Sequence, residues 1–422
     1  MARIVAIMLD GLRRDLLRPD TTPSLARFAE RAESFANHRS VFPSCTRVVS
    51  AAFATGCHPR RNGLPGNTCA LMEDGRLRLH DVGVPGFFEH RRTVTGRSLE
   101  MPTMAERLAG HGGVVVFNNV SPGAASAHDP DGHGHVYHRA GSYGPGRVPL
   151  PEAEGLDIAP GIDGDRAMAR RFVDEVLPGR AALSVLWLSE PDTTQHAVPL
   201  GSAAHLDVLC EADAIAGTLI EAVEELAARG EDVLLIVGSD HGHQTVDGTV
   251  DVAQSLVDAG LKAAADSDDV VVAPNGTAAL VYVHPRHEDR VAAIAEHLRA
   301  QPWAGEVFHG EALAEHGHDQ AHGLAIAISM ASSEAPNEHG IPGRSFAVKA
   351  LGTKPDRDGC GQHGGLGTYE QSPVLMIAGR GFRPGVRREP PSSIVDIAPT
   401  CLAHLGLAAE DLDGRPLQTD HP

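Results

Sequence analysis

Six side chains combine metal-ligand chemistry with telling neighbours. They are Asp10 ahead of Gly11, Asp192 and His196 in Glu190-Pro-Asp-Thr-Thr-Gln-His196, Asp240 and His241 in Ser239-Asp-His-Gly242, and His363 in Gly361-Gln-His-Gly364. Three carboxylates and three imidazoles form two sets of oxygen and nitrogen donors, which suit Zn²⁺ or Mn²⁺ better than Ca²⁺. A lone histidine is more often a satisfied polar residue than a ligand, and Asp192 on its own reads as a helix cap. Six candidates at the ends of apolar runs shift that balance. Thr46 is the candidate nucleophile, in Val41-Phe-Pro-Ser-Cys-Thr46-Arg-Val-Val-Ser-Ala-Ala-Phe-Ala-Thr-Gly56. Pro43 stays outside the helix and Gly56 stops it, so Thr46 falls near the first turn, where backbone N–H groups point outward and bind anions. A hydroxyl there can lose its proton to a metal and attack a phosphoryl group. Taken alone, the simpler reading is that Thr46 or Ser44 caps the helix.

Such groups need rigid elements to hold them. Short apolar runs bounded by turn residues recur at Ile4–Leu9, Val114–Phe117, Leu183–Leu188, Val233–Val237, Ala278–Val283 and Val374–Ala378, with amphipathic stretches such as Pro23–Phe35, His205–Leu226 and Arg290–Arg299 between them. Buried strands alternating with helices predict an α/β protein with a mainly parallel sheet. Active sites of such sheets lie beyond the carboxyl ends of the strands. Three of the runs deliver Asp10, the Ser189–His196 segment and Ser239–His243 to that edge. Residues 265–355 read as a smaller α+β insert covering the site, between the two parts (1–264 and 356–422) of the catalytic unit. Ser121–Pro149 reads as a long loop, and no internal repeat is found.

The composition limits the partners. A formal net charge of −19 argues against duplex nucleic acid or an anionic membrane, whereas a small phosphate-containing substrate stays compatible because bound cations reverse the local field. The opening Met-Ala-Arg-Ile-Val-Ala-Ile-Met-Leu-Asp10 is too short an apolar run for a signal peptide, and no stretch approaches the roughly 20 apolar residues that span a bilayer. The six cysteines form no CxxC pair, which fits reduced thiols and a cytoplasmic protein. A homo-oligomer is neither implied nor excluded.

The order and spacing of these motifs resemble the alkaline phosphatase superfamily and, within it, the type I phosphodiesterase/nucleotide pyrophosphatase branch. The resemblance runs from Leu9-Asp10-Gly11 to the Asp411-Leu-Asp-Gly-Arg-Pro-Leu tail and spares only the middle loops. It includes a Phe-Pro segment with a threonine nine residues before Thr55-Gly56, an asparagine twenty-one residues after that threonine, Glu190 to His196, Ser239 to Gly242, and His363-Gly364. It implies an alkaline-phosphatase-like fold with a cap. It also implies Thr46 as nucleophile, Asn67 as a phosphate-oxygen ligand, and two metals, zinc before manganese. One would be held by Asp10, Asp240, His241 and the Thr46 oxygen, the other by Asp192, His196 and His363. A phosphothreonine would form and then be released by water.

Departures and rivals remain. Arg47-Val48-Val49 stands where family members often have Phe-Pro-Asn, and Arg47 reads either as a solvated residue or as a partner for a second substrate charge. His243 reads as an outer neighbour of the metals or as structural, and the His128–His138 run as a solvated loop before a further metal site. A sulfatase would need Cys-x-Pro-x-Arg, which Cys45-Thr-Arg-Val-Val does not supply, and its cysteine would align with Thr46. Phosphonoacetate hydrolases and phosphomonoesterases of the same superfamily are the alternatives; phosphoethanolamine transferases would need a membrane span. An inactive metal-binding protein would be expected to lack the nucleophile or a ligand, and none is missing. Asn67 without an arginine clamp favours a singly charged diester, subject to Arg47 or Lys349.

Overall fold

In the computed structural model, which describes residues 2–352 and 355–419, the strand Arg3–Leu9 lies in the middle of a ten-stranded sheet. All seven of its residues are buried. Leu183–Leu188 and Val233–Gly238 flank it in parallel, with Leu9 opposite Leu188 and Met8 opposite Gly238. This register brings the carboxyl ends of three strands to one level, so the residues after each of them meet.

The two faces are set by the period of two along the strand. Ile4, Ala6 and Met8 pack with helix Thr46–Thr55 and helix Ile397–Leu405. Val5, Ile7 and Leu9 pack beneath the long helix Ala203–Ala228. The sheet thus has helices on both sides, as a continuously apolar parallel strand requires.

The expected strands form in a mainly parallel sheet with some antiparallel pairs, and two stretches are corrected. Leu375–Ala378 enters the sheet antiparallel to Val233–Gly238 and also pairs antiparallel with Glu33–Phe35. The stretch Pro23–Phe35 is not one helix; helix Pro23–Ala29 ends and Glu33–Phe35 becomes a strand. Ser121–Pro149 is not a loop throughout, because helix Pro122–Ala127 and strands His135–Tyr137, Tyr143–Gly144 and Val148–Pro149 extend the sheet.

Between residues 265 and 355 an antiparallel sheet of Val270–Asn275, Ala278–Val283, Leu324–Met330 and Ala304–His309 packs one face on helix Val291–Arg299. Its other face meets the hairpin Thr68–Glu73 and Arg76–Asp81. Pro342–Val348 pairs instead with Gln244–Val250, joining this region to the strand that follows His243. Among the described residues no helix is long and apolar enough to cross a membrane.

Candidate functional site

Asp10 follows the central strand and is fully buried. Its Oδ2 accepts the Trp187 indole N–H at 2.8 Å, leaving Oδ1 3.6 Å from His241 Nε2 and 3.5 Å from Thr46 Oγ1. Asp240 Oδ1 accepts the Gly11 N–H at 3.0 Å. Its Oδ2 is buried without a hydrogen-bond partner, although His241 Nε2 lies 3.0 Å away. Asp10, Asp240 and His241 therefore form one group whose donor atoms converge.

The second group comes from a short helix and a distant turn. Asp192 opens helix Asp192–Gln195, and its N–H donates to the Asp10 carbonyl at 3.1 Å, tying the two strand ends together. His196 Nε2 and His363 Nε2 stand 3.4 and 3.6 Å from Asp192 Oδ1. All six predicted ligands are thus brought together. The two groups also touch, since the rings of His241 and His363 stack with centroids 3.6 Å apart.

The proton positions on these rings follow from their partners. The Nδ1 atoms of His196, His241 and His363 face the carbonyls of Gly361, Gly242 and Ser44 at 2.9, 3.1 and 2.7 Å. A carbonyl only accepts, so Nδ1 carries the proton and the Nε2 lone pair points into the site. His243 differs. Its Nε2 lies 2.7 Å from Asp192 Oδ1 and its Nδ1 is buried without a partner. Nε2 therefore donates, and His243 orients Asp192. Gly11, at φ +71°, leaves room for that ring, because a Cβ there would come within 2.8 Å of His243 Nε2.

Electrostatics make this cluster costly without cations. Burial, then the like charges of Asp240 and Asp192, hold the Asp10 carboxyl well above the ordinary carboxylate range. Burial opposes ionisation of Asp192 too, but the His196, His243 and His363 imidazoles draw it well below that range. Burial lowers His196 to about 4 and His243 to about 3. Three buried carboxylates, an orphaned Asp240 oxygen and inward imidazole lone pairs are what a divalent-metal site requires.

Thr46 begins helix Thr46–Thr55, and the N-cap is Cys45, without a side-chain cap hydrogen bond. Thr46 Oγ1 lies 3.1 Å from His241 Nε2 and faces the group of Asp10, Asp240 and His241, so the capping reading has no bond to rest on. The Cys45 thiol is buried, and burial raises it far above the ordinary thiol range, keeping it protonated. Asn67 Oδ1 accepts the Arg47 N–H at 3.1 Å. A cavity of about 250 Å³ opens over Thr46, Asn67, Asp192, His196 and His363. A hollow of about 500 Å³ beside Glu89 and His138 holds none of these residues.

Several contributors carry no sequence signal. Asn275 Oδ1 accepts the N–H groups of Asn67 and Thr68 at 2.6 and 3.2 Å, pinning Asn67. Buried Asp165 accepts the N–H groups of Ser189 and Glu190, fixing the loop before Asp192. Arg47 and Arg357 both line the cavity, whereas Lys349 faces Asp251 at 3.3 Å, away from it. Of the two cations that could alter the expectation of a site without an arginine clamp, Arg47 stands at the cavity and Lys349 does not, and Arg357 joins it. In the His128–His138 run, Asp129 accepts three backbone N–H groups and His128 packs on Phe53 and Trp187. Among the described residues, no convergent ligand group includes it.

The sequence matches the family model of type I phosphodiesterase / nucleotide pyrophosphatase over residues 4–325. No curated protein sequence matches the chain. Among solved structures, murine ectonucleotide pyrophosphatase / phosphodiesterase 5, an inactive threonine-to-alanine variant in complex with AMP, superposes with a TM-score of 0.68 at 17% identity. The alignment covers 98% of this chain and 97% of that one. The human counterpart gives a TM-score of 0.69 at 16% identity, with coverage of 98% and 97%. The family match spans well over half of the residues, and the chain belongs to the type I phosphodiesterase/nucleotide pyrophosphatase family, hydrolases of phosphoric ester bonds.

Proposed function

We propose that this protein is a two-metal hydrolase that cleaves phosphate esters through a phosphothreonine on Thr46. The observation that carries the reading is the Thr46 hydroxyl at a helix start, 3.1 Å from His241 Nε2 and 3.5 Å from Asp10 Oδ1, and engaged in no cap. Asp10, Asp240, His241 and Thr46 would hold one ion, and Asp192, His196 and His363 the other. The donor set favours zinc, with manganese second. Bound there, the ions would lower the pKa of the Thr46 hydroxyl and balance charge on the phosphoryl oxygens.

The chain's own residues supply the rest. Thr46 Oγ1 forms a bond to phosphorus as the bond from phosphorus to the departing oxygen breaks. The Asn67 carbonyl oxygen is taken by the Arg47 N–H, so its amide nitrogen remains to donate to a phosphoryl oxygen. Water then attacks the phosphothreonine and restores the hydroxyl. The murine relative named above is described as inactive with one threonine changed to alanine, which supports an essential threonine. In this reading residues 265–355 cap a catalytic unit of 1–264 and 356–422, and Asn275 is the cap's contribution to positioning Asn67.

The test uses zinc-loaded protein with bis(p-nitrophenyl) phosphate and p-nitrophenyl phosphate. Turnover should disappear in excess chelator and return with Zn²⁺ or Mn²⁺ but not Ca²⁺. Acid quenching during turnover should leave a phosphoryl group on the peptide that contains Thr46. Full activity after exhaustive metal removal would rule the reading out.

A further inference from the structure

Two arginines, Arg47 and Arg357, line the cavity over Thr46, and neither belongs to the proposed metal-ligand set. Arg47 follows the nucleophile directly. Its Nε donates to Ser121 Oγ at 3.1 Å, and its Nη1 lies 3.6 Å from Asp81 Oδ1. Gly83 leaves the space that this side chain occupies, since a Cβ there would collide with Nη2. Arg357 comes from a separate part of the chain. Its Nη1 donates to the His196 carbonyl at 2.8 Å, which fixes it beside a proposed metal ligand. Among the described residues, no carboxylate lies within ion-pair distance of Arg357. Burial lowers both guanidiniums from the ordinary arginine value, as expected for cations held away from water.

Size and lining point the same way. At about 250 Å³ the cavity falls short of the roughly 300–1,000 Å³ that drug-sized ligands occupy. Among the described residues no Phe, Tyr or Trp lines it, so it offers no ring for a nucleobase to stack on. Charge matters too. Two divalent ions and two guanidiniums against Asp10, Asp192, Asp240 and Asp81 leave about two positive charges at the site.

We infer that the substrate is a compact phosphoryl compound with a second anionic charge, which Arg47 and Arg357 hold beside the phosphorus attacked by Thr46. This rests on the reading of Thr46 as nucleophile. The second charge belongs either to the phosphoryl group itself, as in a monoester dianion, or to a carboxylate or phosphate next to it. Arg47 and Arg357 are specificity residues, matched to anionic oxygens through charge-assisted hydrogen bonds.

Two measurements on zinc-loaded protein test this. The first compares kcat/KM for p-nitrophenyl phosphate and inorganic pyrophosphate with that for bis(p-nitrophenyl) phosphate, in the parent and in Arg47→Gln and Arg357→Gln. Each glutamine should shrink the ratio of dianion to diester efficiency by on the order of 10- to 100-fold, mainly through KM. Arg357→Lys should restore part of it. Whichever of the first two substrates loses more locates the second charge. The second measurement avoids turnover: calorimetric titration of Thr46→Ala protein at pH 8 with inorganic phosphate and with dimethyl phosphate. Phosphate should bind at least about tenfold tighter, and adding Arg357→Gln should narrow that gap.

Equal binding of the two anions, or an unchanged kinetic ratio in both glutamine variants, overturns the inference while leaving the Thr46 mechanism standing. Preferential phosphate binding that depends on Arg357, in a protein whose Thr46→Ala form turns over like the parent, supports the charge match at the cavity and refutes the Thr46 reading instead.

Discussion

Replacing Thr46 by alanine separates chemistry from folding, because the structure assigns the side chain so little of the second. Cys45, not Thr46, is the N-cap of the helix, and no side-chain cap bond exists to lose. The hydroxyl's close partner is His241 Nε2 at 3.1 Å, and one such bond contributes about 0.5–1.5 kcal/mol. For a chain this large, the melting temperature should fall by only a few degrees, about 2–4 °C per kcal/mol. Asp10, Asp240 and His241 stay in place, so metal content should remain near the parent level. The rate is another matter. Losing the attacking oxygen removes the covalent route, and losses of a nucleophile approach about a million-fold in kcat. The assay combines initial rates on both chromogenic esters with thermal unfolding and metal per chain by mass spectrometry. Thr46→Ser should keep a measurable part of the rate because the hydroxyl stays. Cys45→Ala should keep nearly all of it, since burial holds that thiol protonated. An alanine variant that loses stability but still turns over would refute the argument and leave direct attack by water as the route. A dead Cys45→Ala would refute the placement of the nucleophile by one residue.

Three further outcomes follow from the same geometry. His243→Ala removes the imidazole that donates to Asp192 Oδ1 at 2.7 Å, so the ion held by Asp192 should bind about 10–100-fold more weakly, with the other ion unchanged, as chelator competition would reveal. Asn275→Ala strips the acceptor from the Asn67 and Thr68 N–H groups and should cost about 1–3 kcal/mol in denaturant unfolding along with a higher KM; an unchanged KM would mean that Asn67 is placed without it. Burial lowers His38, His128 and His318 to about 3 and His138 and His205 to about 4. Their folded values lie below the unfolded one of about 6.5, so the stability they confer is complete above pH 6.5 and is lost as pH falls toward 4 and 3. His128→Phe should flatten the slope between pH 6 and 5 by up to about 1.4 kcal/mol per unit, and an unaltered slope in denaturant titrations would contradict the assignment.

The sequence made the site legible where chemistry and strand endings coincide. Ile4–Leu9 and Val233–Val237 are apolar throughout and Leu183–Leu188 is apolar but for Ser184, so they read as buried strands, and the acidic residues after them read as one edge. Register was not legible: nothing local states that Leu9 lies opposite Leu188, which is set by packing in three dimensions. The break after Ala29 escaped the helical pattern because strand Glu33–Phe35 is recruited by pairing with residues beyond 370. The hairpin around Asp74-Gly75 has a local signal: both residues have positive φ, 49° and 74°, as an Asp-Gly two-residue turn requires. Arg357 and Asn275 gave no signal, since each acts through a backbone group far away in sequence.

The antiparallel strand Leu375–Ala378 also bears on how the chain is made. It closes the edge of Val233–Gly238 and follows His363 in the chain, so that edge stays unpaired, and the set of proposed ligands incomplete, until these later residues are in place. During translation the growing chain would present an apolar strand with unpaired N–H and C=O groups, a surface on which other nascent chains can pair. Closure by a short, late strand leaves any chain that lacks Leu375–Ala378 open at the edge next to the central strand, where an exposed apolar strand can pair with another chain.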